Sequence, residues 1–400
     1  MLTAILSFLV AVAAWQQPGM QPPRVFLLNS PLLARERQTV LSNPEKVSEL
    51  VQAARAEADR AMRAGPFSVT EKSPTPPSGD KHDYLSLAPY FWPDPKRPGG
   101  LPYIRRDGER NPEIKQIPDH DNMGKMSSAV RALALGYYLT GNENYAARAA
   151  LLLHTWFLDP ATRMNPNLEF AQGIRGLNTG RGIGIIESQG LTSVVDAAGL
   201  LCGSKSWTNA DGSALQQWFS RFLDWLRMSS HGQDESHAKN NHGTYYDVQV
   251  MDFALFIGRK DVAADLASKA AEKRISAQIE PDGHQPLELA RTKSFSYSAF
   301  NLRALCELAI LAQQSGVDLW HFQTRDGRSI PKALDFLLPY AAGEKKWPYQ
   351  QIEPLHPDDL VAPLLQAATA LNNPQYRKAC EKILPFAQRA ELILLRAEAE

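Results

Sequence analysis

From residue 123 onward, apolar residues recur at three- and four-residue intervals in runs separated by short polar breaks. That is the spacing of helices with one buried face. The runs cover 125–140, 143–157, 186–202, 212–229, 241–258, 261–277, 296–315, 331–341, 357–371 and 375–398. Gly, Asn and Pro mark the joints, as in Thr140-Gly141-Asn142 and Asn372-Asn373-Pro374. The stretch Ala299 to Leu311 is apolar on most sides, which places it beneath a second layer of helices. No strict repeat is present, so a regular solenoid is disfavoured. The pattern predicts an all-α fold: antiparallel helical hairpins curling into an incomplete α/α toroid, with inner helix ends and loops forming a cleft.

Upstream the texture differs. Asn43-Pro44 reads as a cap and first turn of a helix carrying Val47, Leu50, Val51, Ala54 and Ala58 and ending at Gly65. Residues 65–121 are rich in Pro, Gly, Asp and aromatics without sustained period, which predicts a long ordered N-terminal loop or arm. Its centre places Tyr84, Tyr90, Phe91 and Trp92 close together, a use of aromatics rare in disordered chain. Leu101 to Gly108 reads as a short extended piece closed by a turn. Residues 1–14 form an apolar run of signal-peptide length ending in the small-x-small Ala11-Val12-Ala13, too short to span a bilayer. No Lys or Arg precedes it, an atypical start; the expectation is export to the periplasm or medium, with residues 24–400 as one domain.

Charge narrows the partners. The 400 residues carry 43 basic and 43 acidic side chains, so no overall field favours nucleic acid or an anionic membrane. Positive charge for an acidic ligand must be local. Cys202, Cys306 and Cys380 are widely spaced in apolar helical runs, which predicts buried thiols, with one disulfide left open.

The densest polar cluster is Ser236 to Asp247, where Asn240, Asn241 and His242 open an apolar helix and Tyr245 and Tyr246 follow one turn later. A helix start favours an anion, and these groups suit a carboxylate. A second cluster carries Arg291, Lys293 and Tyr297. Six residues apart on one helix, Arg291 and Tyr297 would face different ways, so a shared site needs a bend in Thr292-Lys293-Ser294-Phe295-Ser296. Tyr84, Tyr90, Phe91 and Trp92 suit sugar stacking or loop packing equally. Arg175 and Arg181, in the Gly-rich stretch 173–184, suit carboxylates at neighbouring positions, and Lys345 to Tyr349 suits a rim. His82-Asp83 and His120-Asp121 have no evident third ligand, so no metal and no cofactor is expected.

The Asn-Asn-His of residues 240–242, the downstream Arg291 and Tyr297, and the segment Tyr84 to Pro95 together resemble the alginate lyase superfamily of α/α-toroid polysaccharide lyases, in the branch acting on alginate or glucuronan. The similarity covers roughly residues 70–370. The resemblance implies a carbon-oxygen lyase cleaving a 4-linked acidic polysaccharide by β-elimination. A proton at C5 beside a carboxylate is hard to remove, and donors aimed at that carboxylate stabilise the enolate-like state. By resemblance Asn241 and Arg291 neutralise it, His242 assists or removes the proton, and Tyr297 protonates the departing oxygen or also acts as base. Asn240, Tyr246, Tyr84, Trp92, Arg175, Arg181 and Lys293 are expected to bind substrate. Two other functions stay open. A hydrolase needs two paired carboxylates, and nothing pairs Asp83, Asp121, Glu187 and Asp247. A non-catalytic binding protein needs none.

Overall fold

A computed structural model describes residues 22–384 apart from Pro44 and Lys46. The predicted signal segment 1–14 and residues 385–398 of the last predicted run lie outside the described residues. In chain order the helices are α1 (Ser30–Ser42), α2 (Glu49–Ala61), α3 (Asp119–Thr140), α4 (Glu143–Leu153), α5 (Leu191–Leu200), α6 (Asn209–Met228) and α7 (Ser230–His237). They continue with α8 (Asn241–Phe256), α9 (Lys260–Ala270), α10 (Pro286–Leu289), α11 (Ser294–Gln313), α12 (Ile330–Ala341), α13 (Val361–Ala370) and α14 (Pro374–Ile383). Among the described residues four short strands join them: β1 (Leu85–Leu87), β2 (Phe91–Trp92), β3 (Ile104–Arg105) and β4 (Phe170–Gly173).

The longer helices sort by burial. α2, α4, α6, α9, α12 and α14 bury one stripe and turn polar residues outward. In α8 every residue except His242 is buried, and α11 and α13 are buried on most sides. The all-round apolar helices form the inner course: α3 packs on α5, α5 on α8, α8 on α11 and α11 on α13. The striped helices cover them, α4 on α3, α6 and α9 on α8, α12 on α11 and α14 on α13. This is the incomplete α/α toroid that the periodicity predicts, since only a helix with neighbours on every side can dispense with a polar face.

The elements missed are those with weak apolar pattern. α1 buries only Leu32 and Leu33, and Asn43, read as a helix start, closes α1 instead. α2 begins at the Ser48 cap. Pi-helical turns at His154–Leu158 and Ala271–Ser276 prolong α4 and α9, which explains why those runs read longer. α5 starts at Leu191 rather than 186, because Gly182–Ser188 is a 3₁₀ turn. Cys202 lies exposed in the turn after α5, while Cys306 and Cys380 are buried.

The arm between α2 and α3 is ordered by pairing with the ring. β2 and β3 form an antiparallel ladder, with Phe91 opposite Arg105, and β1 pairs in parallel with β4. Asp119, at the start of α3, accepts from Leu85 N at 2.9 Å and pairs with Lys72 at 2.9 Å. Both side chains are fully buried, and burial pushes the Asp119 carboxyl up to about 6 despite Lys72. Such a pair is kept by mutual need, since removing either partner leaves a buried charge.

Candidate active site

A cavity of about 1100 Å³ opens where the start of α8, the α10–α11 junction and the arm meet. Asn240 caps α8 in an extended conformation, yet its side chain makes no capping bond. The cap comes from α10: the Asn241 backbone N–H donates to Glu288 Oε1 and Asn241 Nδ2 to Oε2, both at 2.7 Å. Asn241 Oδ1 is buried without a partner. Burial pushes the Glu288 carboxyl up, and the two bonds from Asn241 pull it back only in part. Gly243 permits the tight α7–α8 corner, since a Cβ there would stand 2.0 Å from Ala238 O and 2.2 Å from Arg274 Nη1. Arg274 braces that corner through Ala238 O at 2.6 Å and Asp247 Oδ2 at 2.6 Å.

His242 lines the cavity. Its Nδ1 lies 2.8 Å from Oε1 of Glu235, a residue of α7 that is 1 % exposed. An ionised carboxylate only accepts, so this partner assigns the proton to Nδ1 and leaves Nε2 with a lone pair.

The bend required between Arg291 and Tyr297 exists, because α10 ends at Leu289 and α11 starts at Ser294. The Arg291 guanidinium carbon sits 3.6 Å from the centre of the Tyr297 ring. Asp107, on the arm, accepts from Arg291 Nη2 at 2.8 Å, from its Nε at 3.1 Å and from Thr292 N at 3.1 Å. Although burial opposes ionisation of Asp107, the bonds from Arg291 and Thr292 outweigh it and hold its carboxyl well below the usual range. A second arm residue, Tyr90, lies with its phenol oxygen 2.8 Å from that of Tyr297. Burial, with the Tyr90 phenol next in size, raises Tyr297 above the ordinary tyrosine value. In this setting Tyr297 holds its proton, the state a general acid needs.

The alginate lyase family matches residues 68–347 of this chain. An alginate lyase from Bacteroides ovatus is 38 % identical, with a TM-score of 0.88, covering 93 % of this chain and 99 % of that one. The chain belongs to the alginate lyase family. It is therefore a polysaccharide lyase. Alginate lyase A1-III from Sphingomonas species A1, at 15 % identity and a TM-score of 0.58, covers 92 % of this chain and 95 % of its own and shows the same fold. Another structure of A1-III, complexed with a tetrasaccharide, gives a TM-score of 0.60 at 15 % identity and covers 96 % of this chain and 98 % of its own. A comparison with curated proteins finds no match.

In this alginate lyase family member the cavity brings together Asn240, Asn241, His242, Arg291, Lys293, Tyr297 and Arg181. Lys293 is paired with Glu353 at 2.5 Å. Four expected substrate-binding residues lie elsewhere. Tyr246 is buried with its hydroxyl on Leu226 O at 2.9 Å, because the helical rise carries it toward α6. Tyr84 is fully buried and donates to Glu187 at 2.8 Å. Trp92 packs within the arm, its Nε1 on Glu109 O at 2.9 Å. Arg175 bonds Gln116 at 3.1 Å and faces a separate small pocket behind Phe91. Of the carboxylates considered for hydrolysis, Glu187 lines the cavity, whereas Asp83 is held by Asn165 and Asp247 by Arg274. His82 binds Arg163 O, and His120 lines the cavity 3.8 Å from Glu187. Trp347 anchors the predicted rim on Ser294 Oγ at 2.8 Å.

Of the partners, sequence reading misses the site roles of Glu235, Glu288 and Asp107 and takes Tyr90 only as a stacking or packing ring. Glu235 alone carried a local signal, seven residues before His242 on a short helix that turns back toward it.

Proposed function

We propose that this polysaccharide lyase cleaves 4-linked polyuronates, alginate foremost, by β-elimination. The observation that carries the reading is the meeting, in one cavity, of an imidazole with a buried carboxylate behind it and a proton-holding phenol stacked on a guanidinium. His242 Nε2 takes the C5 proton. The electron pair forms the C4–C5 double bond as the C4–oxygen bond breaks, and Tyr297 gives its phenol proton to the leaving oxygen. Arg291 and Asn241, which line the cavity, offset the charge that builds on the substrate carboxylate. Asp107 does not cancel this, since Arg105 shares it with Arg291 at 2.7 Å and 2.8 Å, leaving two guanidiniums on one carboxylate. The tetrasaccharide held by the related A1-III enzyme supports an oligosaccharide in this cleft. Export is part of the proposal, on the apolar run of residues 1–14 and its small-x-small end.

The test is incubation with mannuronate-rich alginate, guluronate-rich alginate, polyglucuronate and a neutral glucan, following the ultraviolet absorbance of the unsaturated product. Absorbance from a polyuronate and none from the glucan is expected. New reducing ends without absorbance would establish hydrolysis, and binding with neither would establish a carbohydrate-binding protein.

A further inference from the structure

α10 is a single helical turn that apolar packing does not hold. Among its residues only Glu288 is buried, while Leu287 stands 50 % exposed. Its position still matters to the site, because Glu288 holds the Asn241 backbone N–H and Nδ2, both at 2.7 Å. What fixes α10 is a buried polar layer. Gln285, the residue before α10, makes no side-chain capping bond and reaches across to α11 instead. Its Nε2 donates to Ser298 O at 3.0 Å, and its Oε1 accepts from Asn301 Nδ2 at 2.7 Å. Its backbone O accepts from the N–H groups of Glu288 at 3.1 Å and Leu289 at 2.9 Å. Asn301 Nδ2 also donates to Gln278 Oε1 at 2.8 Å, and that oxygen accepts from Thr244 Oγ1 on α8 at 3.1 Å. Thr244, Gln278, Gln285 and Asn301 are all buried.

Three of the four sit one turn from a residue of the site. Thr244 follows Asn241 by three positions on α8, Asn301 follows Tyr297 by four on α11, and Gln285 precedes Glu288 by three. Such spacings keep two residues on one side of a helix. The layer therefore joins the three elements that carry Asn241, Glu288 and Tyr297. Beside it Tyr245 Oη donates to Phe300 O at 3.2 Å, a second tie between α8 and α11. Stability does not account for the layer. Gln278 Nε2 and Asn301 Oδ1 are buried without a partner among the described residues, so each has given up water for nothing in return. Apolar side chains of similar volume would fill the space without that loss. Carboxamides add direction: their donors and acceptors admit one placement of α10 against α8 and α11.

We propose that Asn301 is a positioning residue for the elimination: through Gln285 it sets α10 so that Glu288 holds Asn241 in place at the cavity wall. The inference rests on the β-elimination reading. Asn241 there offsets charge that develops only as the proton leaves, so a misplaced Asn241 lowers kcat and spares KM.

The experiment measures kcat and KM on the best polyuronate for Asn301→Leu, Gln285→Leu, Thr244→Val and Thr244→Ser, each alone and in an Asn241→Ala background. A displacement of about 1 Å at a reacting group costs about 10²-fold, so each leucine variant is expected to lower kcat by about 10- to 100-fold with KM little changed. In the Asn241→Ala background the same substitutions should add little, because their effect passes through Asn241. Melting curves show which variants fold. Should the leucine variants not fold, Thr244→Val, which keeps the shape and removes one bond, carries the test against Thr244→Ser, which keeps the hydroxyl and should recover the turnover. Wild-type kcat in the folded variants overturns the inference. So does their full loss in the Asn241→Ala background, which would mark a general loosening of the fold. The elimination reading fails separately, if the wild-type enzyme yields no unsaturated product from any polyuronate.

Discussion

Replacing Glu235 with Gln tests the role assigned to His242 at nearly constant volume. In the native site the imidazole becomes a cation when it accepts the C5 proton, with Glu235 Oε1 only 2.8 Å from Nδ1. The carboxylate is 1 % exposed, so little water screens it. Glu235→Gln keeps an oxygen acceptor but loses the charge. Hydrogen bonds to charged groups contribute about 1.5–3 kcal/mol and neutral ones about 0.5–1.5 kcal/mol. The difference of about 1–2 kcal/mol corresponds to a fall in kcat of about 5- to 30-fold. Glu235→Ala, which strands Nδ1 altogether, should cost about 10²- to 10⁴-fold, the range of a general base. KM should change little, because Glu235 lies behind the imidazole. The assay is the initial rate of unsaturated product on the best polyuronate, repeated in a His242→Ala background. There Glu235→Gln should add no further loss, since its effect passes through the imidazole. Wild-type turnover in Glu235→Gln, or its full penalty in the absence of His242, would refute the reasoning.

Tyr297→Phe should lower kcat by about 10²- to 10⁴-fold with a much smaller change in KM, measured by the same absorbance; near-normal turnover removes Tyr297 as the acid. Asp196 accepts three backbone N–H groups from Phe26, Leu27 and Leu28, and burial pushes its carboxyl up from 3.8 to about 6. A raised carboxyl contributes stability below the unfolded value and loses it as pH rises through the folded one, about 3 kcal/mol in all. Denaturant unfolding from pH 4 to 7 should therefore show a decline from this group that Asp196→Asn flattens, and an unchanged slope in the variant would count against it. Gly243→Ala should cost about 1–3 kcal/mol in the same unfolding assay and depress turnover, because the new Cβ meets Ala238 O and Arg274; an unperturbed enzyme would show that the corner yields.

The inner helices were legible because burial on every side leaves a continuous apolar record: α8 and α11 lie within about two residues of their predicted limits. α1 was not, since two buried leucines in a polar segment carry no period. The same contrast runs through the site. Asn241, His242, Arg291 and Tyr297 stand in short polar clusters that interrupt apolar helices, and all four line the cavity. Their partners are set by the folded path: Glu288 reaches Asn241 across 47 positions, Asp107 reaches Arg291 across 184 and Tyr90 reaches Tyr297 across 207. No local pattern announces such pairs. Tyr246 and Tyr84 show the reverse error, where a phenol beside a functional cluster satisfies its hydroxyl inside the protein.

Asp107 and Tyr90 both enter from outside the helices, on a segment with little regular structure of its own. The toroid can thus be whole while its chemistry is idle, with Arg291 unrestrained and Tyr297 lacking its neighbour. A preparation with full helical circular dichroism and no turnover would be diagnosed first as one whose polar strap had come unseated.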